Sequence, residues 1–173
     1  MVRLIFISLF LFFFFSCAPK KENCSVPSYL RSENIPPNFS GNLYISTFSV
    51  PFKYLVLQNR MIFPLTYLGF ISYEGTTLKV AKYKIDFFLP LWKVLKHRLV
   101  DKSCSIEPYK GGFLITSETD KGVKIYLRTD KRFKPLGAEI CSLGSCYRVH
   151  YKHREVLIEK KFIDLVFVLN PSQ

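Results

Sequence analysis

The chain has 173 residues, 49% of them hydrophobic and 16% aromatic, and a formal net charge of +12. That size and apolar content exclude a disordered chain and suit one domain able to bury a core. Eight Gly, ten Pro and no visible repeat exclude a solenoid, a collagen-like chain or a low-complexity tail. The charge alone points to an anionic partner, either nucleic acid or a membrane surface.

The first element is an apolar run. One cation, Arg3, precedes an unbroken stretch over 4–15 that holds six of the 17 Phe. It is short for a membrane-crossing helix, which takes about 20 residues, and has the length of a signal-peptide core. Cys17 follows, preceded by the small Ser16. This layout resembles the lipobox of bacterial lipoproteins, with Phe14 and Phe15 where that family usually has Leu and a small residue. The resemblance implies a signal peptide over 1–16 and a Cys17 that carries fatty acyl (palmitate) chains as the mature N-terminus. Ala18 after the cysteine implies, by that family's sorting rule, an outer-membrane lipoprotein facing the periplasm. Other readings of the same residues are cleavage after Ala18 and an uncleaved anchor.

Export changes the meaning of the charge. Removing 1–16 deletes only Arg3, so the mature chain stays basic. Outside the cytoplasm nucleic acid drops out as a partner. What remains is anionic lipid headgroups or a Lys-rich solvated surface with no partner.

Residues 17–40 contain Pro19, Pro27, Pro36 and Pro37 among Ser, Asn and charges. They read as a lipidated tether, and the folded domain is expected over 41–170. Strand-like segments rich in aromatic and β-branched residues follow at 43–48, 52–57, 67–73 and 78–83, with a turn at Glu74-Gly75. The next segment differs. Pro90 suits a helix's first turn. Leu91, Leu95 and Leu99 recur at four-residue spacing with Trp92 and Val94 beside them, and Lys93, Lys96 and His97 fall opposite. This predicts a short amphipathic helix over about 90–100, with His97 on its solvated face.

Strands resume at 113–116 and 123–128. If Asp120-Lys121-Gly122 is a hairpin loop, Ile115 faces Leu127 and Glu118 faces Lys124. Taking Leu143-Gly144 as a two-residue loop sets Cys141 opposite Cys146, Glu139 opposite Arg148, Ile140 opposite Tyr147, Ala138 opposite Val149 and Leu136 opposite Tyr151. The run over 162–169 is apolar on both faces and is expected to lie buried, near the middle of the sheet or under a cover.

With Cys17 acylated, Cys24, Cys104, Cys141 and Cys146 remain. An even number in an oxidising compartment predicts two disulfides. Register assigns Cys141–Cys146, and elimination leaves Cys24–Cys104. No metal site is expected. The cysteine spacing is not of the CxxC kind, and His150 and His153 point to opposite faces of a strand.

These elements define a mainly β protein: a curved antiparallel sheet or half-open barrel of about ten strands with one short amphipathic helix. One helix of about three turns cannot cover that many strands. The sheet must curl around it, leaving a hollow lined by aromatic and aliphatic side chains or filling that space as core.

Local patterns add a resemblance. Phe63-Pro-Leu-Thr-Tyr-Leu-Gly69 before the Glu74-Gly75 turn, Phe88-Leu-Pro-Leu-Trp-Lys-Val-Leu95, and the closing strands 123–129, 136–141, 147–151 and 162–171 resemble the LolA/LolB superfamily. Its members are a periplasmic carrier and an outer-membrane receptor of lipoprotein sorting. The resemblance covers about 41–171, as a pattern with no diagnostic motif. It implies a hollow that holds acyl chains or a lipoprotein, with Leu91, Trp92, Leu95 and Leu99 in its lid.

No GxSxG, P-loop or HExxH occurs, and Asp101 and Asp164 are isolated carboxylates. Glu118 and Glu139 read as cross-strand ion-pair partners. The expectation is no enzyme and no cofactor. Two functions stand: a membrane-anchored lipoprotein that binds acyl chains or another apolar ligand, or an accessory lipoprotein with a filled core that docks on an envelope assembly.

Overall fold

A computed structural model describes residues 25–67, 69–160 and 163–171. The apolar run, Cys17 and Cys24 lie outside the described residues. Thirteen strands and one short α-helix are formed within them. In chain order these are β1 (Phe39–Ile45), β2 (Phe48–Leu55), β3 (Arg60–Ile62), β4 (Ile71–Glu74), β5 (Thr77–Val80), β6 (Tyr83–Asp86) and α1 (Leu91–Leu95). Then come β7 (Cys104–Tyr109), β8 (Gly112–Glu118), β9 (Lys124–Asp130), β10 (Pro135–Ser142), β11 (Ser145–Lys152), β12 (Glu155–Lys160) and β13 (Ile163–Leu169).

Ten strands form one sheet in the order β3-β2-β1-β13-β12-β11-β10-β9-β8-β7, antiparallel at every pair and not closed into a barrel. The expected mainly β architecture is therefore present. Strands β7 to β13 run as a meander through short turns. β13 then pairs with β1, so the last described strand joins the first, at the third and fourth places of the sheet. That pairing is close. A Cβ on Gly41 would lie 2.4 Å from the Val168 carbonyl oxygen, so β1 needs a glycine there. β13 is an interior strand, paired on both edges, and its composition fits that place: Leu165 and Phe167 are buried, while Val166 and Val168 are half-exposed on the other face.

A second sheet, β4-β5-β6, sends Ile71, Tyr73, Leu78, Val80 and Ile85 into the same core as the large sheet. The segment expected as one strand over 78–83 is two strands. Ala81 adopts φ +50° and turns the chain between them.

Alternation sorts the large sheet's faces. Leu43, Val50, Phe52, Ile115, Ile125, Leu127, Ile140, Val149, Ile158 and Phe167 point inward and are at most 4% exposed. Both predicted hairpin registers hold. Ile115 faces Leu127 and Glu118 faces Lys124. Cys141 faces Cys146, Glu139 faces Arg148, Ile140 faces Tyr147 and Ala138 faces Val149. Regular β10–β11 pairing ends at Gly137 and His150, and the β10–β9 register shifts between Pro135 and Gly137. The expected Leu136–Tyr151 pair is therefore not made: Leu136 is half-exposed and Tyr151 is buried. A bulge supplies the extra residue that turns Leu136 outward.

The helix is shorter than expected. It spans Leu91–Leu95, not 90–100. His97 takes φ +59°, outside the right-handed helical region, and the chain leaves extended. Leu99 still reaches the core, from extended backbone. Val100 forms an isolated parallel bridge with Arg31.

That bridge bears on the stretch read as a tether. Residues 28–32 lie on the body. Leu30 is fully buried, its carbonyl accepts Val100 N–H at 2.9 Å, and Ser32 N–H donates to the Val100 carbonyl at 2.9 Å. The Ser32 hydroxyl donates to Asp101.

Candidate functional site

The helix segment and the sheet face beneath it hold the residues expected to form a lid. Leu91, Trp92, Leu95 and Leu99 are 0–7% exposed, with Val94 beside them, and all belong to one hydrophobic cluster.

Pro90 precedes α1, and no side chain of its own segment caps it. The first N–H groups of a helix have no intrahelical acceptor. Here the sheets supply them. Leu91 N–H donates to the Tyr73 hydroxyl oxygen at 2.8 Å, and Trp92 N–H to that of Tyr54 at 3.3 Å. Both hydroxyls then donate to Asn59 Oδ1, at 3.4 and 2.6 Å. Two more phenols hold carbonyls along the segment. Tyr151 donates to the Val94 carbonyl at 3.0 Å, and Tyr147 donates to that of Phe87. Burial raises the pKa of all four tyrosines, so they stay neutral and keep these bonds at ordinary pH.

The magnitudes show how firmly the segment is held. Exposing a buried aliphatic side chain costs about 1.5–3 kcal/mol, and each hydroxyl bond contributes about 0.5–1.5 kcal/mol. Lifting five such side chains and breaking four such bonds costs about 10–20 kcal/mol. A whole domain is held by only about 5–15 kcal/mol. The side chains of the segment are packed into the core cluster.

His97 is not the solvated residue its spacing predicts. It is half-buried, and its ring meets that of Tyr151 edge-on at 4.4 Å. Burial, with Lys96 and Arg98 beside it, pushes its pKa down to about 4. The left-handed turn that ends α1 is what swings it inward. Lys96 lies over the Phe39 ring at 4.6 Å, and its pKa is lowered, chiefly by burial.

An open apolar cleft of about 420 Å³ lies where the two sheets meet. Ile45, Val80, Tyr83, Ile85 and Ile163 line it, with Ser46 and Asp164 at its polar side. Composition gave no signal for this cleft, because its walls come from four distant strands and a turn. On the outer face of the large sheet, Tyr44 pairs across to Val166 and Val166 to Leu157. With Val168 they form a partly exposed apolar stripe.

Cys141 and Cys146 form a disulfide with Cα atoms 4.1 Å apart, as their register requires. Cys104 is also disulfide-bonded. The Cys24 half of the expected second pair lies outside the described residues, as does Cys17. Glu139, Cys141 and Cys146 bring ligand atoms within 4.8 Å of one another, but the sulfurs are bonded to each other, leaving no thiolate to hold a metal. Glu139 faces Arg148 and Glu118 faces Lys124 without an ion pair within 4 Å; among the described residues such pairs join Lys79 to Glu74 and His150 to Glu159. The solvated outer face gives those longer side chains no reason to close. No helix of the described residues is long and apolar enough to cross a membrane.

No family model, no curated protein and no solved structure matches this chain.

Proposed function

We propose that this chain is a non-enzymatic, membrane-anchored envelope lipoprotein with a filled core, acting as a docking module on an envelope assembly. The observation that carries the reading is the four-tyrosine clamp on the segment around α1. It supports a packed plug over a movable lid, because the segment's polar groups and its apolar side chains are both spoken for by the sheets. The apolar stripe of Tyr44, Leu157, Val166 and Val168 supports docking, since large apolar side chains on an outer sheet face favour a protein partner. The anchor at Cys17 and the outer-membrane location rest on the signal layout alone.

A second reading is favoured by the cleft between the sheets. An acyl chain lying against Ile45, Val80, Ile85 and Ile163 would gain about 0.8 kcal/mol per buried methylene. This keeps the apolar-ligand function of the LolA/LolB resemblance but moves its site away from the helix.

Native mass spectrometry of the purified chain separates the two. The docking reading expects no stoichiometric lipid beyond the N-terminal modification, and co-purification of a protein partner that Val166→Asp abolishes. Stoichiometric bound lipid that Ile85→Asp removes would replace it with the ligand reading.

A further inference from the structure

We infer that the basic face where the chain leaves the body rests on an anionic phospholipid surface and orients the protein there. The inference rests on the reading that the chain is anchored at Cys17. Two segments pin the point of exit. On one side the Arg98 guanidinium donates to the Ser28 carbonyl at 3.0 Å, and Arg31 bridges to Val100. On the other the Tyr29 hydroxyl donates to the Phe133 carbonyl at 3.0 Å, which sets the β9–β10 turn beside the exit. Both segments are cationic: Arg31, Arg98 and Lys102 stand on the first, and Lys131, Arg132 and Lys134 on the second.

Nearby carboxylates are fewer and partly committed. Asp130 accepts the N–H groups of Arg132 and Lys134, Asp101 accepts the Ser32 hydroxyl, and Glu33 is exposed. Among the described residues, six cations against three anions leave a net charge of about +3 on this face. Tyr29 and Ile35, 41% and 59% exposed, stand in the same N-terminal segment, the amphipathic company that a headgroup layer accepts.

An anchor at Cys17 would keep this face close to the membrane. Between Cys17 and Ser25 there are eight residue steps, which span at most about 28 Å when extended. An anchored body therefore holds this face at high local concentration over the headgroups. Each net cation near an anionic surface strengthens partition about fivefold, so three give about a hundredfold. That is enough to set an orientation in a tethered body.

The test uses the full chain carrying Cys17→Ser, on vesicles of phosphatidylcholine alone and of phosphatidylcholine with phosphatidylglycerol. The apolar stretch over 4–15 partitions into both, so the ratio of the two partition coefficients isolates charge. The inference expects a large ratio that high salt collapses. It expects K131E/R132E to cut the ratio at least tenfold, and K82E/K84E, in the β5–β6 turn and on β6, with the same change in net charge, to leave it nearly intact. Equal losses in both variants, a loss only in K82E/K84E, or no loss in either would overturn it. Unchanged Trp92 emission in each variant checks that the body is folded. The mass of the N-terminus after membrane purification bears on the Cys17 anchor alone, so failure of the anchor and failure of the surface are read separately.

Discussion

Tyr73→Phe tests the clamp at its most exposed weakness. The substitution keeps the ring and its place in the core, where Tyr73 is 4% exposed, and removes only the oxygen that accepts Leu91 N–H. That N–H is the first of α1 and has no intrahelical partner, and Leu91 is fully buried, so water cannot replace the phenol. A buried donor left without an acceptor costs about 1–3 kcal/mol. Loss of the weaker bond to Asn59 Oδ1 adds little at 3.4 Å. For a domain of this size the expected fall in Tm is about 3–8 °C. The assay is urea unfolding followed by the emission of Trp92, the chain's single tryptophan, which sits 7% exposed in the plug itself. Tyr54→Phe removes the neighbouring acceptor, and the two rings lie 5.7 Å apart. Their double mutant should depart from additivity by more than about 0.5 kcal/mol, because both hydroxyls share Asn59. Destabilisation below about 0.5 kcal/mol in Tyr73→Phe, with strict additivity, would refute the reasoning and reopen the lid.

The remaining predictions concern other parts of the body. His97 has a folded pKa near 4 against 6.5 in its ordinary state, so the folded protein binds fewer protons. The stability tied to this group is complete above about pH 6.5 and falls as the pH drops toward 4, by at most about 3 kcal/mol. His97→Asn, which tolerates the left-handed backbone, should flatten that slope in urea titrations across this range. Gly41→Ala should cost more than about 2 kcal/mol and weaken the β1–β13 junction, since the new Cβ meets backbone rather than a flexible tip; an unchanged urea midpoint would contradict it. Removing the disulfide with C141A/C146A should cost about 2 kcal/mol for so short a loop, while circular dichroism keeps its β-sheet signature. Loss of the sheet signal would show that the hairpin depends on the bond for more than stability.

Much of the sheet was legible because its signals are local. Strict alternation over 123–128 and 147–152, with turn residues between strands, dictates register, and a one-residue slip would turn Cys141 away from Cys146. The pairing of β1 with β13 was not legible, since the partners lie 120 or more positions apart and no local pattern records which strand closes on which. The helix is shorter than its apolar spacing suggests for a related reason. Leu91, Leu95 and Leu99 all reach the core, but Leu99 does so from extended backbone beyond the turn at His97, and apolar spacing alone cannot distinguish the two routes. The tyrosine clamp left only its composition in the sequence. Tyr54, Tyr73, Tyr147 and Tyr151 read as sheet residues, and their hydroxyls meet α1 or, for Tyr147, the Phe87 carbonyl ahead of it only once the sheets fold together.

Hydrogen exchange at the Leu91 and Trp92 amides addresses the plug most directly, because both are held by phenols of the surrounding sheets. The account predicts that they exchange only through global unfolding, with the free energy measured by urea, and that an added fatty acid leaves their rates unchanged. Exchange through a cheaper local opening, accelerated by the fatty acid, would contradict it.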